Sequence, residues 1–263
     1  MAMRLRPSDE WRRYEHWNHV FDRCPETGQE RAMSGIAGFL APWSERPDPS
    51  VLERMTRSLQ HLGGDAWGYY VDDRFGLGVA RRLRRAGEQS DRPVTNEDGS
   101  VHVVLDGVIY NFPSIRDELI SRGHQFVTTG DTEVVAHAWQ EFGDQCLPLF
   151  SGVFALAIWD QQRQQLFLAR DPLGEKRLYY AVAKGWLIFG SELRAVLAHP
   201  AVTHELELTV SRSLEFDIVP EPHSIICGIS KLPRGHWLTA SNGRVTVQSY
   251  GDIPSGAQGS TSA

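Results

Sequence analysis

Cysteine is scarce in this chain of 263 residues, with only Cys24, Cys146 and Cys227, widely spaced and without a CxxC pair. That excludes a disulfide framework and a cysteine zinc site, and a reducing cytoplasm is the expected compartment. The ten histidines show no HxxxH or HExxH spacing, so neither a metal nor another cofactor is expected. Excess positive charge is missing too. Against 33 Asp and Glu stand 27 Lys and Arg, a net charge of -6 that speaks against nucleic-acid or acidic-membrane partners. No apolar run reaches the ~18 residues needed to span a membrane. The N-terminus is polar, carries Trp11 and Trp17, and does not read as a secretory signal.

What is present is the composition of a soluble globular protein, 41% hydrophobic and 23% charged, on a chain long enough for a substantial core. The texture changes near residue 33. Residues 1–33 hold "PSDEWRRYEHWNHVFDRC", which suits a helix, and then the linker "PETGQERA". This extension reads equally as a docking arm, a removable propeptide or a mis-assigned start. Residues 34–250 form a domain of mixed α and β texture, and 251–263 a disordered tail. "GIAGFLA", "FGLGVARRL" and "VFALAIWD" read as strands. "SVLERMTRSLQHL", headed by Ser50, "PSIRDELISRG" and "DTEVVAHAWQEFG" read as helices. "VHVVLDGVIY" reads as a strand ending in a turn at Asp106-Gly107, and Asn242-Gly243 as a hairpin turn. Strands come in runs with few long crossovers, which favours an α+β layered sandwich over a doubly wound parallel sheet.

Four stretches, taken in order, carry a family resemblance: "MSGIAGF" (33–39), "LQHLGGDAWGYY" (59–70), "LDGVIYNFPSIRDEL" (105–119) and "TTGDTEVVAHAW" (128–139). "GVFALAIWD", "LARDPLGEKRLYY", "FGSELRAVLAHP" and "ISKLPRGHWL" extend it. Together they resemble the glutaminase domain of class II glutamine amidotransferases of the asparagine synthetase type. The resemblance implies a four-layer αββα sandwich of the N-terminal-nucleophile hydrolase type. In that family an N-terminal cysteine attacks the glutamine amide, with the chain's own α-amino group as base. An Asn-Gly pair supplies the oxyanion hole, an arginine holds the substrate carboxylate, and an aspartate and a glutamate meet its ammonium.

Mapped onto this sequence, the nucleophile position is Ser34, whose hydroxyl ionises far less readily than a thiol. The bland alternative is a small residue kept for strand packing. The Asn-Gly pair becomes Asp106-Gly107, and an ionised aspartate cannot donate to an oxyanion. The glutamate two residues beyond the Asn becomes Val108, which removes an ammonium contact. Arg82, in the run "ARRLRR", stands for the carboxylate-binding arginine, placed to within a residue or so among Arg81, Arg84 and Arg85. The alternative there is a solvated strand edge. Asp131 matches the ammonium-binding aspartate or, equally, a helix N-cap. Phe154, Trp159, Tyr179 and Tyr180 read as core.

Ser34 follows residues 1–33, so its nitrogen lies in a peptide bond unless that segment is removed. The Ser-Gly-Gly-x-Asp-Ser loop of the family's ATP-using synthetase domain occurs nowhere in the sequence. These features favour a degenerate, non-catalytic or structural subunit beside a separate ATP-using synthetase. Two alternatives remain open: a slow N-terminal-serine amidase supplying ammonia, and a sensor that binds glutamine or a related amino acid through Arg82 and Asp131.

Overall fold

The computed structural model describes residues 34–62, 66–81, 93–207 and 219–250. The first half runs β1 (Ser34–Leu40), α1 (Pro49–Arg57), β2 (Ala66–Val71), β3 (Phe75–Arg81), β4 (Val94–Thr95), β5 (Val101–Ile109), α2 (Phe112–Ser121) and α3 (Asp131–Phe142). The second runs β6 (Gly152–Asp160), β7 (Gln165–Arg170), β8 (Tyr179–Ala183), β9 (Trp186–Gly190), α4 (Leu193–Leu197), β10 (Ile229–Lys231), β11 (His236–Ser241) and β12 (Arg244–Ser249).

These strands make two six-stranded sheets, ordered β10-β8-β9-β1-β3-β2 and β12-β11-β7-β6-β5-β4. All pairings within them are antiparallel. Helices α1 and α4 pack on the first sheet, and α3 with α2 beside it on the second. The α+β four-layer arrangement expected from the sequence is therefore the one formed.

Four layers need three apolar interfaces, and three cores are present. Strand periodicity divides the residues among them, because successive side chains point to opposite faces. On β6, Phe154, Leu156 and Ile158 join Trp139 and Val135 beneath α3. The intervening Ala155, Ala157 and Trp159 join Ile36, Leu77 and Phe189 between the sheets. On β1, Ala37 and Phe39 face the other way, toward Leu52, Met55 and Leu59 around α1. Trp159 stacks on Phe75 across the sandwich with ring centroids 4.5 Å apart, tying one sheet to the other. Of the aromatics expected in the core, Phe154, Trp159 and Tyr179 are buried, and Tyr180 is partly exposed against the inter-sheet core.

The turn at Asn242-Gly243 forms as expected, with φ of 51° and 75° joining β11 to β12. Two local expectations are corrected. Helix α1 starts earlier and stops sooner than its periodicity implies: Asp48, not Ser50, caps it, accepting the Ser50 N–H at 2.9 Å. Residues Gln60–Leu62 then form a separate 3₁₀ turn. Asp106-Gly107 is not a turn, because β5 continues through it to Ile109, paired with β6 throughout. Gly107 adopts φ +124° inside the strand, and a Cβ there would lie 1.9 Å from the Val153 carbonyl oxygen. Glycine is needed for a close strand approach, not for chain reversal. No helix among the described residues is long and apolar enough to cross a membrane.

Candidate functional site

Ser34 opens β1 in the first sheet, and Asp106 lies midway along β5 in the second. Both are buried, and the Ser34 hydroxyl donates to Asp106 Oδ1 at 2.8 Å. The two strands meet where the sheets face each other, so this hydrogen bond ties one layer to the other at this end of the sandwich.

Asp106 collects two further donors. Ser191, just past β9, donates its hydroxyl to Oδ2 at 2.9 Å and accepts the Ile36 N–H at 3.0 Å. Lys176 Nζ lies 2.6 Å from Oδ1 in an ion pair whose side chains are 21% and 4% exposed. Burying a carboxylate is costly unless charge and hydrogen bonds compensate it, and here both do. Three donors directed at two oxygens leave Asp106 an acceptor only.

The loop between β7 and β8 is built to deliver Lys176. Fully buried Asp171 accepts the backbone N–H groups of Glu175 and Lys176, each at 3.1 Å. Arg170, at the end of β7, donates to the Gly174 carbonyl at 2.8 Å and also to the Lys176 carbonyl. Gly174 takes φ +70° where the loop tightens around that guanidinium. The backbone on both sides of Lys176 is thus clamped, which fixes the root of its long side chain.

The remaining expected residues fall around this centre to different degrees. Gly107 and Val108 follow Asp106 on β5, with Val108 opposite Val153 and partly exposed. Asp131 is the first residue of α3, after the N-cap Gly130, so it is not the cap itself. Its Oδ2 instead accepts the Ile109 N–H at 3.1 Å, joining α3 to the end of β5. Arg82 lies outside the described residues. Its neighbour Arg81 closes β3 directly opposite Ser34 and donates to the Leu105 carbonyl at 3.1 Å and Thr132 Oγ1 at 3.4 Å. Arg81 therefore reaches from β3, beside Ser34, to β5 and α3, and is not a solvated edge residue.

Lys176 and Ser191 were not singled out in the sequence. Both lie in stretches that carry the family resemblance, yet they stand 70 and 85 positions from Asp106 and only the fold brings them to it. As a set, the groups can hold a fixed charge network. The acceptor of the Ser34 hydroxyl is a carboxylate already paired with a cation.

A family model described as "Glutamine amidotransferase domain" matches residues 33–251. Among curated proteins, the chain is 32% identical over 231 residues to "Asparagine synthetase [glutamine-hydrolyzing] 3" of Bacillus subtilis, covering 85% of this chain and 37% of that protein. It is 34% identical over 212 residues to "Asparagine synthetase [glutamine-hydrolyzing] 2" of the same organism, covering 78% and 28%. It is also 32% identical over 237 residues to "Amidase chyE" of Penicillium rubens, covering 84% and 34%. The chain thus spans about a third of the length of these relatives. Among solved structures, the glutamine phosphoribosylpyrophosphate amidotransferase of B. subtilis superposes with a TM-score of 0.60 at 18% identity. That superposition covers 82% of this chain and 49% of the other, and it supports the fold.

Proposed function

The chain belongs to the glutamine amidotransferase domain family, and from that premise we propose that it is a degenerate, non-catalytic member serving a separate ATP-dependent amide-forming ligase. The observation that carries this reading is the Ser34–Asp106–Lys176 network. Glutamine hydrolysis of the family's kind needs a nucleophile, a proton acceptor, and donors aimed at the oxygen that becomes negative. In this reading Ser34 takes the nucleophile's place and Asp106 an oxyanion donor's place.

Each substitution opposes the chemistry. A serine hydroxyl needs a stronger base than a thiol does, and with residues 1–33 attached the Ser34 nitrogen is an amide and supplies none. Asp106 directs acceptor oxygens and negative charge at the locus where a donor is required. Removing one oxyanion donor typically lowers the rate ~10²–10³-fold, and replacing it by a charge of the wrong sign lowers it further. Lys176 offsets that charge by pairing with it. Val108 offers nothing to a substrate ammonium.

What remains is a scaffold with its relatives' architecture and an internally satisfied site. A role as a folded surface for a ligase, not as an ammonia source, fits these features. The test is release of ammonia from glutamine by the purified chain. A rate indistinguishable from buffer is expected; turnover matching the glutamine-hydrolysing relatives overturns the proposal.

A further inference from the structure

Away from Ser34, the fold assembles a second cluster with the chemistry of a metal site. Glu97 projects from the turn between β4 and β5, His124 follows α2, and His137 lies midway along α3. One ligand atom from each of the three falls within 4.8 Å of the others. The sequence gives no hint of this, since 27 residues separate Glu97 from His124 and the histidines share no local motif.

The geometry is directional. His124 Nδ1 lies 3.2 Å from Glu97 Oε1, and His137 Nδ1 lies 3.2 Å from Glu97 Oε2. Both imidazoles thus turn the same nitrogen toward one carboxylate. Their other nitrogens face separate carboxylates: His124 Nε2 is 3.4 Å from Glu141 Oε2, and His137 Nε2 is 3.6 Å from Glu133 Oε1. Ligand nitrogens facing inward, with outer ring N–H groups turned to carboxylates, is the usual second shell of a histidine metal site.

His137 adds an independent observation. It is completely buried, and neither ring nitrogen has a hydrogen-bond partner of acceptable geometry. A buried polar group left unpaired is costly, and a cation between Nδ1 and Glu97 would satisfy it. Each imidazole Nδ1 stands 3.2 Å from its own oxygen of the Glu97 carboxylate, near the ~3.3–3.6 Å that a tetrahedral ion with bonds of ~2.0–2.2 Å sets between ligands.

The surroundings are fixed in place. Asn96 Nδ2 donates to Gln140 Oε1 at 2.9 Å, docking the β4–β5 turn on α3. The Gln125 N–H donates to Glu97 Oε1 at 2.8 Å, and Phe126 packs edge-on against the His137 ring at 4.4 Å. Glu97 is exposed, which leaves a coordination position open to water.

We propose that Glu97, His124 and His137 bind a zinc-class divalent ion through the Glu97 carboxylate and two imidazole nitrogens, with Glu133 and Glu141 orienting the rings and water completing the shell. The choice of ion follows from the donors: two imidazoles and a carboxylate in tetrahedral reach suit Zn²⁺ better than Mg²⁺ or Ca²⁺, which take oxygen ligands.

The test is equilibrium dialysis of the full chain against Zn²⁺, with Co²⁺ as a spectroscopic substitute. One ion per chain, a tetrahedral Co²⁺ spectrum and a raised Tm are expected. Glu97→Gln and His124→Asn should abolish stoichiometric uptake, and Glu141→Gln should weaken it about tenfold. Zinc X-ray absorption on the wild-type chain needs no variant and should show two imidazoles in the first shell. Absence of stoichiometric uptake, uptake unchanged in Glu97→Gln and His124→Asn, or a first shell without imidazole would each overturn the proposal.

Discussion

Ser34 Oγ and Lys176 Nζ converge on the same oxygen of Asp106, at 2.8 Å and 2.6 Å. A buried aspartate at this point is stable only with a cation beside it, and the clamped 171–176 loop supplies one. Asp106 and Lys176 are therefore best understood as one unit.

Replacing Lys176 by methionine leaves Asp106 buried with only two hydroxyl donors. Losing one member of a buried pair commonly costs ~3–5 kcal/mol, and the partial exposure of Lys176 reduces this to about 2–4 kcal/mol. Urea unfolding of Lys176→Met, Asp106→Asn and the double variant should give a coupling above about 1 kcal/mol. Strict additivity would refute the coupling.

Gly107→Ala combines a positive φ with a clash against the Val153 carbonyl inside a paired strand. Backbone strain and steric overlap together should destabilise by about 2–5 kcal/mol. An unchanged urea midpoint would show that β5 can shift there at little cost.

Acid should unfold the domain through two buried histidines. Burial pushes His102 down to about 4, opposed by Asp72, and pushes His199 down to about 4, reinforced by Arg54. Folding thus favours the neutral rings over an unfolded value near 6.5. The stability they contribute is whole above about pH 6.5 and is lost as pH falls toward 4, by up to about 1.4 kcal/mol per pH unit for each ring. Denaturant titrations across that window should show the slope, and His102→Gln should make it shallower.

The layered fold was legible because strand alternation and helical spacing survive in single segments: "VFALAIWD" already divides into the two faces that β6 presents. That Ser34 and Asp106 belong together was legible only through order and spacing shared with a family. Lys176 and Ser191 were not, since each is ordinary in its local stretch and reaches Asp106 only through elements that meet across the sandwich. The turn misread at Asp106-Gly107 has the same origin. Asp-Gly is a turn signal when no neighbouring strand is in view, and here Val153 on β6 is the neighbour. The Glu97, His124 and His137 cluster likewise joins a turn, a loop and a helix that no spacing rule connects.

The central claim is that the site is inert because of what occupies positions 34 and 106. One measurement addresses it directly: ammonia release from glutamine by the intact chain beside a chain beginning at residue 34 with Ser34→Cys and Asp106→Asn. The intact chain should stay at background, and the restored chain should turn over glutamine at least about 10²-fold above it. Activity in the intact chain, or a folded restored chain that remains inert, would contradict it.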